Sequence, residues 1–251
     1  MAVEISKAVQ LLLEARRSGK QITPPFALLP GPEGRAAVYA IQDGVAKAIG
    51  PVAGWKVGAR TPTAEPNPAP MLAGALVKSP ASIDGKAMHV IGVEIEISFH
   101  IAKDIGPRGE PVGRDEALAA VGDAFVGMEV CDTRLADYQA AGPEWLLADN
   151  QANHALVIGD PIKDWKGLDW ANLHVKLTVG GKVEVEQKGG LGAVDPLRPL
   201  AWMIDHAVRR CGGIRAGQAI TTGSWTGLRF YPPGIRARGE FAGLGAVEAA
   251  F

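Results

Sequence analysis

The chain of 251 residues has little cysteine, with only Cys131 and Cys211. Both sit in apolar patterns, so they read as buried thiols in a reducing compartment rather than a disulfide framework. Net charge is nearly absent too, at −1, which argues against a nucleic-acid partner held by phosphate electrostatics. No apolar run reaches the ~18 residues of a membrane-spanning helix. No basic-then-apolar leader opens the chain. A soluble, cytoplasmic protein with no membrane attachment is the expectation. There is no Gly-Lys-Ser/Thr phosphate loop, no Ser-centred nucleophile elbow, and no metal-ligand spacing among His89, His100, His154, His174 and His206. Internal repeats and low-complexity tracts are missing as well.

What the chain does have is material for a core. Hydrophobic residues make up 47% and charged residues 21%, as in one large globular domain. Thirty-two glycines and 18 prolines imply many turns. Ile5, Ala8, Val9, Leu12 and Leu13 fall at helical spacing before Gly19, and Val38, Ile41, Val45 and Ile49 form a second stripe before Gly50-Pro51. A connector marked by Pro24-Pro25 and Pro30-Gly31-Pro32 lies between them. Gly54-Trp55-Lys56-Val57-Gly58 reads as a short strand, and Thr61 to Pro70, with four prolines, as extended or looping chain. Further on, Gly106 to Gly113 reads as a loop and Arg114 to Ala124 as a short helix. Ala155 to Gly159 suits an apolar strand. Leu173 to Val179 and Val183 to Val185 alternate around Gly180-Gly181, a hairpin signature. Asp195 as N-cap and Pro196 at the first helical position start a helix that Gly212-Gly213 ends. Two closing strands, Gln218 to Thr222 and Gly234 to Phe241, precede a last apolar segment.

The most informative stretch is Gly92 to Ile101. Val93, Ile95, Ile97, Phe99 and Ile101 alternate with Glu94, Glu96, Ser98 and His100, the period of a β-strand with one face in a core. Glu94 and Glu96 then project from one face, about 6.5–7 Å apart. Phe125 to Asp132 alternates likewise and carries Glu129 opposite Met128 and Val130. Three carboxylates on two strands can ligate a hard divalent ion; the competing reading is a solvated strand face. Lys56, in its apolar strand, either snorkels outward or points into a polar pocket as general acid or carboxylate anchor. Ala148 to His154 packs polar groups before a buried strand, which Asx-turn chemistry can explain. Thr221 to Gly227 is either a plain loop or a turn whose hydroxyls and N–H groups hold a carboxylate.

Taken in order, Gly54-Trp55-Lys56-Val57-Gly58, Val93-Glu94-Ile95-Glu96-Ile97, Met128 to Arg134, Ala148-Asp149-Asn150 and Thr222-Gly223-Ser224 resemble one family. It is the 2-keto-4-pentenoate hydratase and 4-oxalocrotonate decarboxylase branch of the fumarylacetoacetate hydrolase superfamily. The resemblance implies an α+β fold, a mixed β-roll or β-sandwich behind an N-terminal helical layer. Residues 1–71 would form the helical segment and connecting strand, and 72–251 the β-rich catalytic domain. It implies Mg²⁺ or Mn²⁺ held by Glu94, Glu96 and Glu129, with Lys56 and Asp149 catalytic and Asn150, Thr222 and Ser224 binding substrate. The implied reaction adds water to a 2-hydroxy-2,4-dienoate or its 2-oxoenoate tautomer to give a 4-hydroxy-2-oxo acid, in meta-cleavage degradation of aromatics. Homo-oligomers, with association to a paralogous decarboxylase as an option, complete the implied picture.

The chain departs from the pattern in three places. Asn67-Pro68-Ala69-Pro70-Met71 lacks the acid usual after the lysine strand. Ala152 replaces a small hydroxyl residue, and Gly217-Gln218 replaces Gly-Asp. These departures keep open a 2-oxo-dicarboxylate decarboxylase and a non-catalytic partner subunit. A C–C hydrolase fits less well, since no histidine precedes His89.

Overall fold

A computed structural model describes residues 2–24 and 33–251; apart from Pro24, the proline-marked connector falls outside the described residues. Helix α1 (Ala2–Ser18) ends where Gly19 turns left-handed at φ 67° and donates to the Ala15 carbonyl. Helix α2 (Gly34–Ile49) lies against it. The two approach closely because Gly44 has no side chain: a Cβ there would stand 2.7 Å from a Val9 methyl. Leu12, Ile41 and Val45, all fully buried, join Leu135 and Trp145 in a separate small core.

Strand β1 (Gly54–Gly58) is followed by β2 (Asn67–Met71), the extended one of the two readings the prolines allowed. It sits at the edge of its sheet, paired only to β1, the position where proline's missing donor is tolerated. Short strands β3 (Leu76–Lys78) and β4 (Ala81–Ser82) lead to the long β5 (Ile91–Ile101). Helix α3 (Arg114–Ala119) is shorter than expected. Val121-Gly122 already belongs to β6 (Val121–Cys131), and Val121 pairs with Ile101 of β5. Helix α4 (Tyr138–Ala148) is broken at Gly142 (φ 82°, ψ 171°), ahead of Pro143. Strand β7 (Asn153–Ile162) follows.

The hairpin of β8 (His174–Val179) and β9 (Lys182–Lys188) has Gly180 at φ 57° and Gly181 at φ 84°. Two successive positive values are what a primed two-residue turn demands. Helix α5 (Leu197–Arg210) starts as read, with the Asp195 carboxylate accepting from Leu197 N at 2.8 Å. It ends with Gly213 N donating to Ala207 O across the left-handed Gly212. Strands β10 (Ala219–Ser224), β11 (Arg229–Tyr231), β12 (Arg236–Phe241) and β13 (Gly245–Ala250) complete the chain.

The strands form two curled sheets. One runs β2-β1-β10-β5-β6-β7-β3 with β11 on β5; the other runs β4-β13-β12-β8-β9. Strands β1 and β2 share one sheet with β5, and helices α1 and α2 precede them in the chain. Val93, Ile95, Ile97, Phe99 and Ile101 are all at most 2% exposed and pack with Val175, Leu177, Phe241 and the inner face of α5. Each contributes about 1.5–3 kcal/mol on burial. The opposite face of β5 is also covered: Glu96 is 2% exposed and Ser98 0%. That removes the solvated-face reading of the acids. Among the described residues, no helix is long and apolar enough to cross a membrane.

Candidate metal centre

The antiparallel register of β5 and β6 sets Glu94 directly opposite Glu129, and Glu96 one pleat on, opposite Gly127. Strand β1 delivers Lys56 to the same place. Lys56, Glu94, Glu96, Glu129, Gln151, Thr221 and Ser224 all line one cavity of about 880 Å³. Three acids thus face one ammonium in a largely buried site.

Their contacts differ. Glu129 is fully buried; its Oε1 lies 2.6 Å from Lys56 Nζ and accepts from Asn153 Nδ2 at 2.9 Å. Its other oxygen, Oε2, is buried without any hydrogen-bond partner. Glu96 is drawn back: its Oε2 accepts from the Thr221 hydroxyl and from Gly223 N at 2.9 Å. Thr221 in turn accepts from Ser98 Oγ at 2.8 Å. Glu94 takes a weak hydrogen bond, at 3.8 Å, from the Cys131 thiol. The tightest cluster of ligand atoms, within 4.8 Å of one another, joins Glu94 and Glu129 to Cys131 rather than to Glu96.

Electrostatics follow from the crowding. Burial pushes Lys56 toward neutrality, but Glu129 and Glu94 outweigh it and hold the ammonium well above its usual range. Burial, then repulsion from Glu129 and Glu94, pushes Glu96 up to about 8 against the stabilising Thr221 bond. Burial likewise raises Glu94, opposed by Lys56 and reinforced by Glu129. An orphaned buried carboxylate oxygen among like charges is costly. The residues therefore fit a hard divalent cation, which oxygen donors of this type favour.

The remaining expected site residues lie elsewhere. Thr222 points through the sheet to donate to Ile97 O at 2.9 Å, so Thr221, its neighbour on the other face, is the threonine at the cavity. Asp149 is fully buried away from the cavity, paired with Arg134 at 2.5 Å and also accepting from Thr133 Oγ1, Arg134 N and Arg16. It does not line the cavity; its neighbours Asn150 to Ala152 stand between. Asn150 is also buried outside the cavity, its Oδ1 unpartnered. With Asp149 it anchors an uncommon turn: Asn150, Gln151 and Ala152 are all left-handed, at φ 54°, 51° and 59°. Three such residues in a row cost roughly 1–2 kcal/mol each. The turn aims the Gln151 carbonyl at Lys56 Nζ, 3.2 Å away, while Gln151 Nε2 donates to Asn67 O at 2.9 Å. Gln151, Thr221, Cys131 and Arg134 are the participants that sequence reading missed. Alternation along β10 was the one signal pointing to Thr221.

Two curled sheets around a buried acidic cavity with one lysine, beside a helical layer, describe this fold and its candidate site. The sequence pattern of the fumarylacetoacetate hydrolase C-terminal family matches residues 58–251, and the chain belongs to that family. It is 28% identical to a 2-keto-4-pentenoate hydratase of Burkholderia vietnamiensis, over 98% of this chain and 97% of the relative. A 4-oxalocrotonate decarboxylase of a Pseudomonas species is 30% identical over 62% of this chain and 59% of its own length. Among solved structures, the 4-oxalocrotonate decarboxylase of Pseudomonas putida G7, complexed with magnesium and adipate, superimposes with a TM-score of 0.82. That match covers 100% of this chain and 98% of the other at 21% identity, a likeness of fold. A second structure of the same enzyme carries calcium and acetate.

Proposed function

We propose that the chain is a divalent-metal-dependent hydratase, adding water to a 2-hydroxy-2,4-dienoate to give a 4-hydroxy-2-oxo acid. The observation that carries this reading is the buried Glu129, with one oxygen on Lys56 and the other unpartnered, beside Glu94 and Glu96 in a single cavity. Glu94, Glu96 and Glu129 would hold Mg²⁺ or Mn²⁺, with Cys131 at the margin. Such an ion supplies Lewis-acid stabilisation of charge on the C2 oxygen. Lys56 is held cationic by its neighbours, so it serves as an electrophile and proton donor rather than as a base. Gln151 O and Glu129 fix its ammonium at the inner wall. Ser224 offers its hydroxyl to the substrate carboxylate, and Thr221 and Gly223 N steady Glu96.

The proton balance is simple. The C2 enol proton is lost and C5 gains one, giving the 2-oxo-3-enoate; hydroxide then adds at C4 and a proton at C3. Asp149 acts through the Asn150–Ala152 turn, as a positioning residue. Homo-oligomers, association with a paralogous decarboxylase and a cytoplasmic location belong to the same proposal. The test is turnover of 2-hydroxypenta-2,4-dienoate, followed as loss of its ultraviolet absorbance with Mg²⁺ or Mn²⁺. No metal-dependent loss refutes the proposal.

One observation favours a second reading, decarboxylation of a 2-oxo-dicarboxylate. Exposed Arg60 also lines the cavity, a cation available to a second carboxylate. Release of CO₂ from such a substrate separates the two.

A further inference from the structure

A second, smaller cavity of about 170 Å³ opens off the site. It shares Lys56, Glu94, Tyr138, Leu146 and Gln151 with the main cavity. Beyond Lys56 and Glu94 at its inner end, none of its lining residues is charged. Cys131, Ala152, Leu228 and Phe230 form the rest of the wall that matters here. Leu228 seats beside Cys131 because Gly92 leaves room: a Cβ at Gly92 would stand 2.8 Å from Leu228 Cδ1 and 3.0 Å from Cys131 Cβ. The rings of Tyr138 and Phe230 stand 6.2 Å apart. Leu228 and Phe230 are 40% and 45% exposed, large apolar side chains left open next to a charged site.

We infer that this side cavity binds an apolar substituent on the far end of the substrate, and so selects 2-oxo acids with a hydrocarbon tail over those with a second carboxylate. The inference rests on the hydratase reading for where the 2-oxo acid end lies. Size sets the upper limit, since an apolar cavity of ~150 Å³ accommodates a benzene-sized group. The tail is therefore up to about six carbons. Chemistry sets the sign. A carboxylate placed between Cys131, Leu228 and Phe230 would lose its hydration with no cation to receive it beyond Lys56, which Glu129 already engages. Ala152 contributes only a methyl group at that wall, so it offers a tail carboxylate no hydrogen bond.

Binding of saturated 2-oxo acids, which cannot be hydrated, tests the cavity apart from the reaction. Calorimetry with Mg²⁺ present would compare pyruvate, 2-oxopentanoate, 2-oxohexanoate, 2-oxooctanoate and 2-oxohexanedioate. The expected Kd falls roughly fourfold per methylene buried, and 2-oxohexanedioate binds more weakly than 2-oxohexanoate. Leu228→Arg should reverse that last order while the thermal midpoint holds. Equal affinities along the series, tighter 2-oxohexanedioate in the unaltered protein, or an unchanged order in Leu228→Arg each overturn the inference. If the order holds but no dienoate is turned over, the hydratase reading fails and the tail cavity stands.

Discussion

Replacing Arg134 by Met tests the buried charge network behind the site. Arg134 donates from Nε to Asp149 Oδ1 at 2.5 Å, from Nη2 to Asp149 O at 2.7 Å and from Nη1 to the carbonyls of Asp132 and Asn153. Both partners are at most 5% exposed. Removing one partner of a buried pair leaves an uncompensated charge and costs about 3–5 kcal/mol. Arg16, 3.4 Å from the same carboxylate, offsets part of this, so the low end, about 3 kcal/mol, is expected. For a chain of this length that lowers the thermal midpoint by about 6–12 °C. Urea unfolding followed by circular dichroism should show the midpoint move with the slope unchanged. The double variant Arg134→Met/Asp149→Leu has no orphaned carboxylate and should recover part of the loss. A single variant within about 1 kcal/mol of the parent, or a double variant that merely sums the two singles, refutes the reasoning.

Three further outcomes follow from the same coordinates. Mg²⁺ or Mn²⁺ at a hundred times its Kd should stabilise the fold by about 2.7 kcal/mol, and Glu129→Gln should abolish the increment in a thermal scan; persistence of the increment would place the ion elsewhere. His206, stacked on Trp202 at 4.9 Å, is lowered to about 4 from 6.5 by burial first and by Arg210 second. The native protein thus refuses a proton that the unfolded chain accepts, so stability should fall as pH drops from 6.5 toward 4; a slope unaltered in His206→Phe contradicts this. Gly159→Ala should cost about 1–3 kcal/mol, because its Cβ would stand 2.4 Å from Ala246 O and 2.7 Å from Val126 O where the two sheets meet; a neutral urea midpoint would show that the sheets can part.

The three glutamates and Lys56 were legible because a strand converts residue spacing into facing with no other information. Their meeting was not, since Glu94 stands opposite Glu129 only through the β5–β6 register, a long-range property. The facing of Thr222 was hidden for a related reason. The β10 ladder shifts register between Thr221 and Ser224, so the motif as a string hides which hydroxyl faces inward. The surroundings of Asp149 were not legible because they are built by Arg134 and by a left-handed turn that nothing in Asn150-Gln151-Ala152 announces. The prolines of β2 left extended and looping chain both open, and its place at a sheet edge makes Pro68 and Pro70 compatible with pairing.

That edge has a consequence for how copies of the chain can meet. Pro68 and Pro70 carry no amide hydrogen, and the outward carbonyl of Pro68 is already taken by Gln42 Nε2 at 3.2 Å. A neighbouring molecule therefore finds no ladder to extend on that flank. The rim of the other sheet, β9, differs: apart from Val185 its residues are exposed, and none is a proline.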